Sequence, residues 1–185
     1  MTPSFLGSLA AVLLVLQGCG SSGSTPKPDG GNPDGGQTAC TLTLSGGVSS
    51  VHSCAVTLAY DGAALATDFS LSTTNIDPAT VPNLYASIQI AGSPVTASFP
   101  STDANIQQGL LAISAGDSID AWSADSAGAN TAATGTFTLT ITALGSAQSV
   151  GGSSIYTNTH GTLDAMLIPV TVGQTTPAIT AHAQF

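Results

Sequence analysis

The sequence predicts an all-β fold: an antiparallel β-sandwich, Ig-like or jelly-roll-like, with a β-barrel as the alternative. Three observations predict it. Thr, Ser, Gly and Val dominate, Glu is absent and Lys27 is the single Lys or Arg, so the residues that make helical faces soluble are missing. Apolar residues recur at every second position, most plainly over Gly135–Leu144. There Phe137, Leu139, Ile141 and Ala143 alternate with Thr136, Thr138, Thr140 and Thr142, the pattern of a half-buried antiparallel strand. Finally, such runs are short and separated by Gly, Pro, Asn and Asp turns, as sandwiches and barrels require.

Taken in order, the chain opens on an apolar run, Phe5–Leu16 (FLGSLAAVLLVL). A membrane-spanning helix needs roughly 20 residues, so this run fits the core of a signal peptide instead. It leads into Leu16-Gln17-Gly18-Cys19, which resembles the lipobox of bacterial lipoproteins: a branched apolar residue at −3, a small residue at −1, and Cys. The resemblance implies a signal peptide over 1–18 and cleavage before Cys19. It also implies a diacylglyceryl group on the Cys19 thiol and acylation of the new amino group. Two or three acyl chains anchor stably, where one is marginal. Gly20 follows the Cys at the position where many Gram-negative lipoproteins carry Asp to stay in the inner membrane, so the resemblance implies the outer membrane. Two departures from the pattern are Gln17 at −2 and the absence of Lys or Arg from MTPSFLGS, which an upstream start would explain.

Residues 19–38 are expected to form the lipidated Cys and a disordered tether. Gly20–Thr38 (GSSGSTPKPDGGNPDGGQT) offers no apolar residue to bury. As a flexible coil it spans about 25 Å, enough to lift a domain clear of lipid headgroups. Gly18–Gly23 matches G-x-G-x-x-G, but it follows a signal core rather than a strand and opens no helix, so the phosphate-binding mechanism of that motif is lacking.

The β-domain is expected over 39–185. Cys40, Leu42 and Leu44 share one face of a first strand, and Cys54, Val56, Leu58 and Tyr60 share one face of a second, Val48–Tyr60. Ser45-Gly46-Gly47 reads as the hairpin turn between them. Centred on Gly47, the hairpin sets Cys40 opposite Cys54 and Leu42 opposite His52. An exported domain with this pair of cysteines points to a Cys40–Cys54 disulfide. The competing reading is a Zn or Cu site from His52, Cys54 and Cys40, completed by distant His160 or His182.

Further strands are expected at Asp68–Thr73, Leu84–Ile90, Val95–Phe99, Leu110–Ser114, Ile119–Ser123, Leu163–Ile168 and Ile179–Phe185, with a short helical turn possible at Thr102–Gln108. Turns fall at Asp61-Gly62, Asp77-Pro78 and Gly92-Ser93-Pro94. The last strand is expected antiparallel to His160–Ile168. The segments WSA, GTFTLTITAL, HGTLDAML and AITAHAQF resemble uncharacterised lipoproteins of myxobacteria and their relatives. That resemblance covers the last 70 or so residues and implies localisation and fold, with no activity attached.

Composition narrows function. From Ala39 to Phe185 there is neither Lys nor Arg, which argues against nucleic acid, phosphate and anionic-sugar ligands. The net charge of −9 suits cations or neutral surfaces as partners. G-x-S-x-G is absent and H-E-x-x-H is impossible without Glu. Asp117 and Asp120 lie close in sequence, but three apart on a strand start their side chains face opposite ways. Asp117, Asp120 and Asp125, with Asn130 or Asp103, are a Ca²⁺ candidate that lacks EF-hand spacing; the simpler role for such Asp residues is turn capping. Trp122, the single Trp, is the candidate for stacking on a sugar ring, against a packing role in the core. No cofactor is implied. The leading expectation is a non-catalytic, lipid-anchored cell-envelope protein displaying its β-domain for structural or interaction roles. The alternatives are a neutral-glycan or Ca²⁺-binding module, and then a hydrolase. The expected partners are the membrane through Cys19 and a neutral glycan or envelope protein, with no nucleic acid.

Overall fold

A computed structural model describes residues 38–73, 82–115, 121–126, 135–171 and 173–185, all within one compact unit, Asp34–Phe185. Cys19, the tether, Asp117, Asp120 and the turn at Asp77-Pro78 lie outside the described residues. Among those described, the strands are β1 (Thr38–Gly46), β2 (Ser50–Asp61), β3 (Ala66–Thr73), β4 (Pro82–Ala91), β5 (Ser98–Pro100) and β6 (Ile106–Ala115). They continue with β7 (Ala121–Asp125), β8 (Thr136–Ala143), β9 (Ser146–Val150), β10 (Ser153–Thr157), β11 (His160–Pro169) and β12 (Ile179–Gln184). The fold is all-β, and of the two expected architectures the barrel is the one formed. Eight strands run antiparallel in the order β1-β12-β11-β7-β6-β4-β3-β2, and β2 closes the ring by pairing with β1.

Eight strands enclose an interior that side chains alone can fill, and here they do. Leu42, Leu58, Leu111, Leu139, Leu167 and Ile179 are fully buried in one core, each from a different strand. The outward positions of β1, β8 and β12 carry Thr41, Thr43, Thr136, Thr142, Thr180 and His182. This polarity is apolar inside and polar outside; a barrel that crosses a bilayer turns an apolar band toward lipid.

The first hairpin has the expected register: Cys40 faces Cys54 and Leu42 faces His52. A disulfide joins Cys40 to Cys54 with Cα atoms 4.8 Å apart, the spacing of a non-hydrogen-bonded antiparallel pair. It consumes both thiols of the competing metal reading, while His52 Nε2 lies 2.6 Å from Ser50 Oγ. Gly46 carries φ +101°, and a Cβ there would strike the Ala178 carbonyl, so the turn needs glycine. At the other end of the chain, β12 lies antiparallel to β11, Leu163 facing Ala183 and Leu167 facing Ile179.

Four strands, β5, β8, β9 and β10, lie off the ring; β8 is the strand that alternation marked most plainly, and the sequence located the other three poorly. The β9–β10 hairpin, turned on Gly151-Gly152, continues the edge of β2 past β1: Tyr156 faces Leu58 and Ser153 faces Asp61. Every residue of β9 is exposed, so it has no apolar face for periodicity to detect. The strand expected at Val95–Phe99 shrinks to β5, which pairs with β8 through Phe99 and Leu139. The helical turn expected at Thr102–Gln108 is replaced by a turn leading into β6: Asp103 Oδ1 accepts from the Asn105 amide at 2.8 Å, and the Ile106 N–H donates to the Asp103 carbonyl. Isolated, short and Gln-rich, that segment gains more from pairing with β4 than from one turn of helix.

Candidate functional site

An open groove of about 600 Å³ lies on the outer face of β4, β6 and β7, lined by Tyr85, Ser87, Gln89, Gln108, Leu110 and Asp125 among others. Alternation explains why these side chains meet. On β4 the inward set is Leu84, Ala86, Ile88 and Ile90, so Tyr85, Ser87 and Gln89 face out. On β6, Leu111 and Ile113 fill the interior and Leu110 points to solvent. Strand register then aligns them crosswise: Ser87, Leu110 and Asp125 form one row, and Gln89 faces Gln108 in the next. Directly opposed side chains approach to about 5 Å, so these adjacent rows form a continuous surface.

Two local features shape the groove. The β4–β6 register shifts between Gln89 and Ile90, placing Gln107 as an extra residue in a β-bulge. Bulges re-aim side chains, and here Gln107 and Gln108 are both exposed into the same groove. Tyr85 stands between small neighbours, Ser72 across on β3 and Ala112 across on β6, and is 51% exposed. The amide of Gln89 is oriented by donating from Nε2 to Asp68 Oδ1 at 3.0 Å, which leaves its carbonyl oxygen to accept. Among the described residues, no partner engages the side chains of Gln107, Gln108 or Asp125.

Of the residues singled out from sequence that the structure describes, all but one fall elsewhere. Trp122 faces the barrel interior, 2% exposed, and its indole Nε1–H donates to the Pro177 carbonyl at 2.9 Å. A stacking platform must be open to ligand, so the expectation that Trp122 contacts a sugar is corrected: the ring bolts β7 to the segment before β12. Asp125 is the exception, on the rim of the groove. Asp103 and Asp61 serve turns, Asp61 Oδ1 accepting from the amides of Ala63 and Ala64 at 2.8 and 3.3 Å. Among the described residues no three of His, Cys, Asp and Glu converge. His182 Nδ1 and Asp164 Oδ1 are 2.6 Å apart across β12 and β11, on the exposed outer face.

A second, smaller cavity of about 180 Å³ sits where Phe99 and Ile141 meet Thr67, Ile90, Pro94 and Val95. Its one buried hydroxyl, Thr67 Oγ1, is already satisfied by donating to the Gly92 carbonyl at 2.7 Å. The 600 Å³ groove therefore offers the polar groups and the exposed ring that recognition uses. No family model, no curated protein and no solved structure matches the chain.

Proposed function

We propose that this is a lipid-anchored cell-envelope protein of the outer membrane that displays its barrel for binding rather than for catalysis. The observation that carries the reading is the run from Leu16 to Thr38: a lipobox-like Leu16-Gln17-Gly18-Cys19, then Gly, Ser, Pro and Asp up to the first residue of β1. An acylated Cys19 with such a tether holds a folded barrel about 25 Å from the bilayer surface. The Cys40–Cys54 disulfide fits an oxidising, exported location. The groove supports binding over hydrolysis, because among the described residues its lining carries one carboxylate, Asp125, where glycoside hydrolysis uses a pair.

Fractionation of cells expressing the full chain tests the anchor. The wild-type protein is expected in the membrane fraction and to take up an alkyne-tagged fatty acid; a Cys19→Ser variant is expected to be released and unlabelled. A Cys19→Ser chain that still sediments with membranes would refute the proposal.

A further inference from the structure

We propose that the β4–β6–β7 groove binds a neutral oligosaccharide, with Tyr85 as the stacking platform and Gln89, Gln107, Gln108 and Asp125 reading its hydroxyls. The inference rests on the reading of the barrel as a display module, and it gives that module a ligand class.

The chemistry of the lining selects the ligand. A pyranose ring presents C–H groups on its faces and hydroxyls around its rim. The C–H face fits the negative face of an aromatic ring, and Tyr85 is half exposed between Ser72 and Ala112, neither large enough to cover it. Each hydroxyl both donates and accepts, and so does each Gln amide; three amides lie together in the groove, Gln107 added there by the bulge. Asp125 adds an acceptor from the opposite rim, in the row of Ser87 and Leu110.

Other ligand classes fit less well. Anionic sugars, phosphates and acidic peptides want Lys or Arg, and the chain holds neither beyond Lys27. A peptide added as a strand needs free backbone groups, whereas β6 is hydrogen-bonded to β4 on one side and β7 on the other. An apolar peptide needs more than Tyr85, Leu110 and the edge of Ile106. The volume, about 600 Å³, lies within the ordinary range for small-ligand sites, and the open ends let a polymer continue past it.

The test is a titration of the purified full-length chain in detergent. The probes are neutral hexasaccharides of glucose (α- and β-1,4), xylose, mannose and N-acetylglucosamine, with polygalacturonate and a tryptic peptide mixture as contrasting ligands. At least one neutral hexasaccharide is expected to bind and to raise the unfolding temperature. Tyr85→Ala should weaken that binding at least about tenfold, Tyr85→Phe should retain it, and Gln108→Ala should weaken it several-fold. Val51→Ser, on the outer face of β2 away from the groove, should leave it unchanged. Unfolding temperatures without sugar control for folding of each variant. Failure of all neutral probes, binding that survives Tyr85→Ala, or a preference for polygalacturonate or peptide would each overturn the inference. Membrane attachment plays no part in the titration. Sugar binding without membrane attachment would sink the anchor alone, and attachment without sugar binding would sink this inference alone.

Discussion

Reduction of the Cys40–Cys54 bond is the perturbation whose size follows most directly from the structure. The bond closes a loop across a sequence separation of 14, and its cysteines are 8% and 3% exposed. Reduced, the two sulfurs remain small apolar groups in the same places, so the folded barrel loses little. The unfolded chain gains the freedom of an open loop of about 15 residues, worth about 3 kcal/mol in the chain-entropy account. For a barrel of this length that corresponds to a melting temperature lower by about 6–12 °C. The reduced barrel should still be folded at 25 °C, because main-chain register from Thr38–Val56 to Leu44–Ser50 already defines the hairpin. Urea unfolding with and without a phosphine reductant, followed by far-UV circular dichroism, measures both statements. Cys40→Ala/Cys54→Ala supplies a second arm that needs no reductant to reach a buried bond. Oxidised and reduced proteins that unfold within about 1 kcal/mol of each other would refute the loop-closure reasoning. Loss of strand signal on reduction at 25 °C would show that the bond, not the register, holds the hairpin.

Trp122 emission should be blue-shifted and weakly quenched by iodide until the barrel unfolds, since the indole is buried against Pro177; red-shifted native emission would contradict its placement. Trp122→Phe removes that hydrogen bond and part of the ring volume and should cost about 1–3 kcal/mol in urea unfolding, a cost below a few tenths counting against the bolt. A Cβ at Gly109 would run into the Phe137 ring, so Gly109→Ala should destabilise by about 1–3 kcal/mol. Adding Phe137→Leu should relieve the clash, making the double variant less costly than the two singles summed; strict additivity would mean that the two do not touch.

What could be read in advance was whatever alternation and turn chemistry encode locally. A turn centred on Gly47 sets Cys40 against Cys54 and Leu42 against His52, and the structure has that register. Closure is a different matter. The same inward and outward faces suit a sandwich or a barrel; the choice lies in whether β12 meets β1 and β7 meets β11, pairings between strands that alternation treats alike. β9 escaped because Ser146–Val150 buries nothing. The groove was half legible: Leu84-Tyr85-Ala86 in a strand whose Leu and Ala face inward forces the Tyr outward, and an outward aromatic is a signal. That Tyr85 meets Gln108 and Asp125 needed the β4–β6–β7 register. Trp122 misled because rarity drew attention to it, while its own alternation with Ala124 already assigned it to the interior.

The groove also straddles the strongest and weakest parts of the wall. β4 is paired with β6 along its whole length, so Tyr85, Gln89 and Gln108 stand on a floor fixed by an unbroken ladder apart from the bulge. β7 is held differently. Its far edge meets β11 at Ile168–Ser123 and Pro169–Trp122, with a backbone bond from the Val170 amide to the Ala121 carbonyl and an isolated parallel bridge from Ala124 to Gly135. Most of the neighbouring edge of β11 is occupied by β8 instead, whose Phe137 and Leu139 plug the interior behind the gap. Trp122 compensates, a side-chain hydrogen bond standing in for missing ladder. Binding sites gain from a rigid floor that presets the stacking ring and amides, because ordering them on binding would cost affinity. Asp125 stands on the less tied strand and offers the two oxygens of its carboxylate to whichever hydroxyl is presented. Stacking and amide contacts set on the fixed strands, and one carboxylate on the looser strand, divide affinity from fine selection across the same groove.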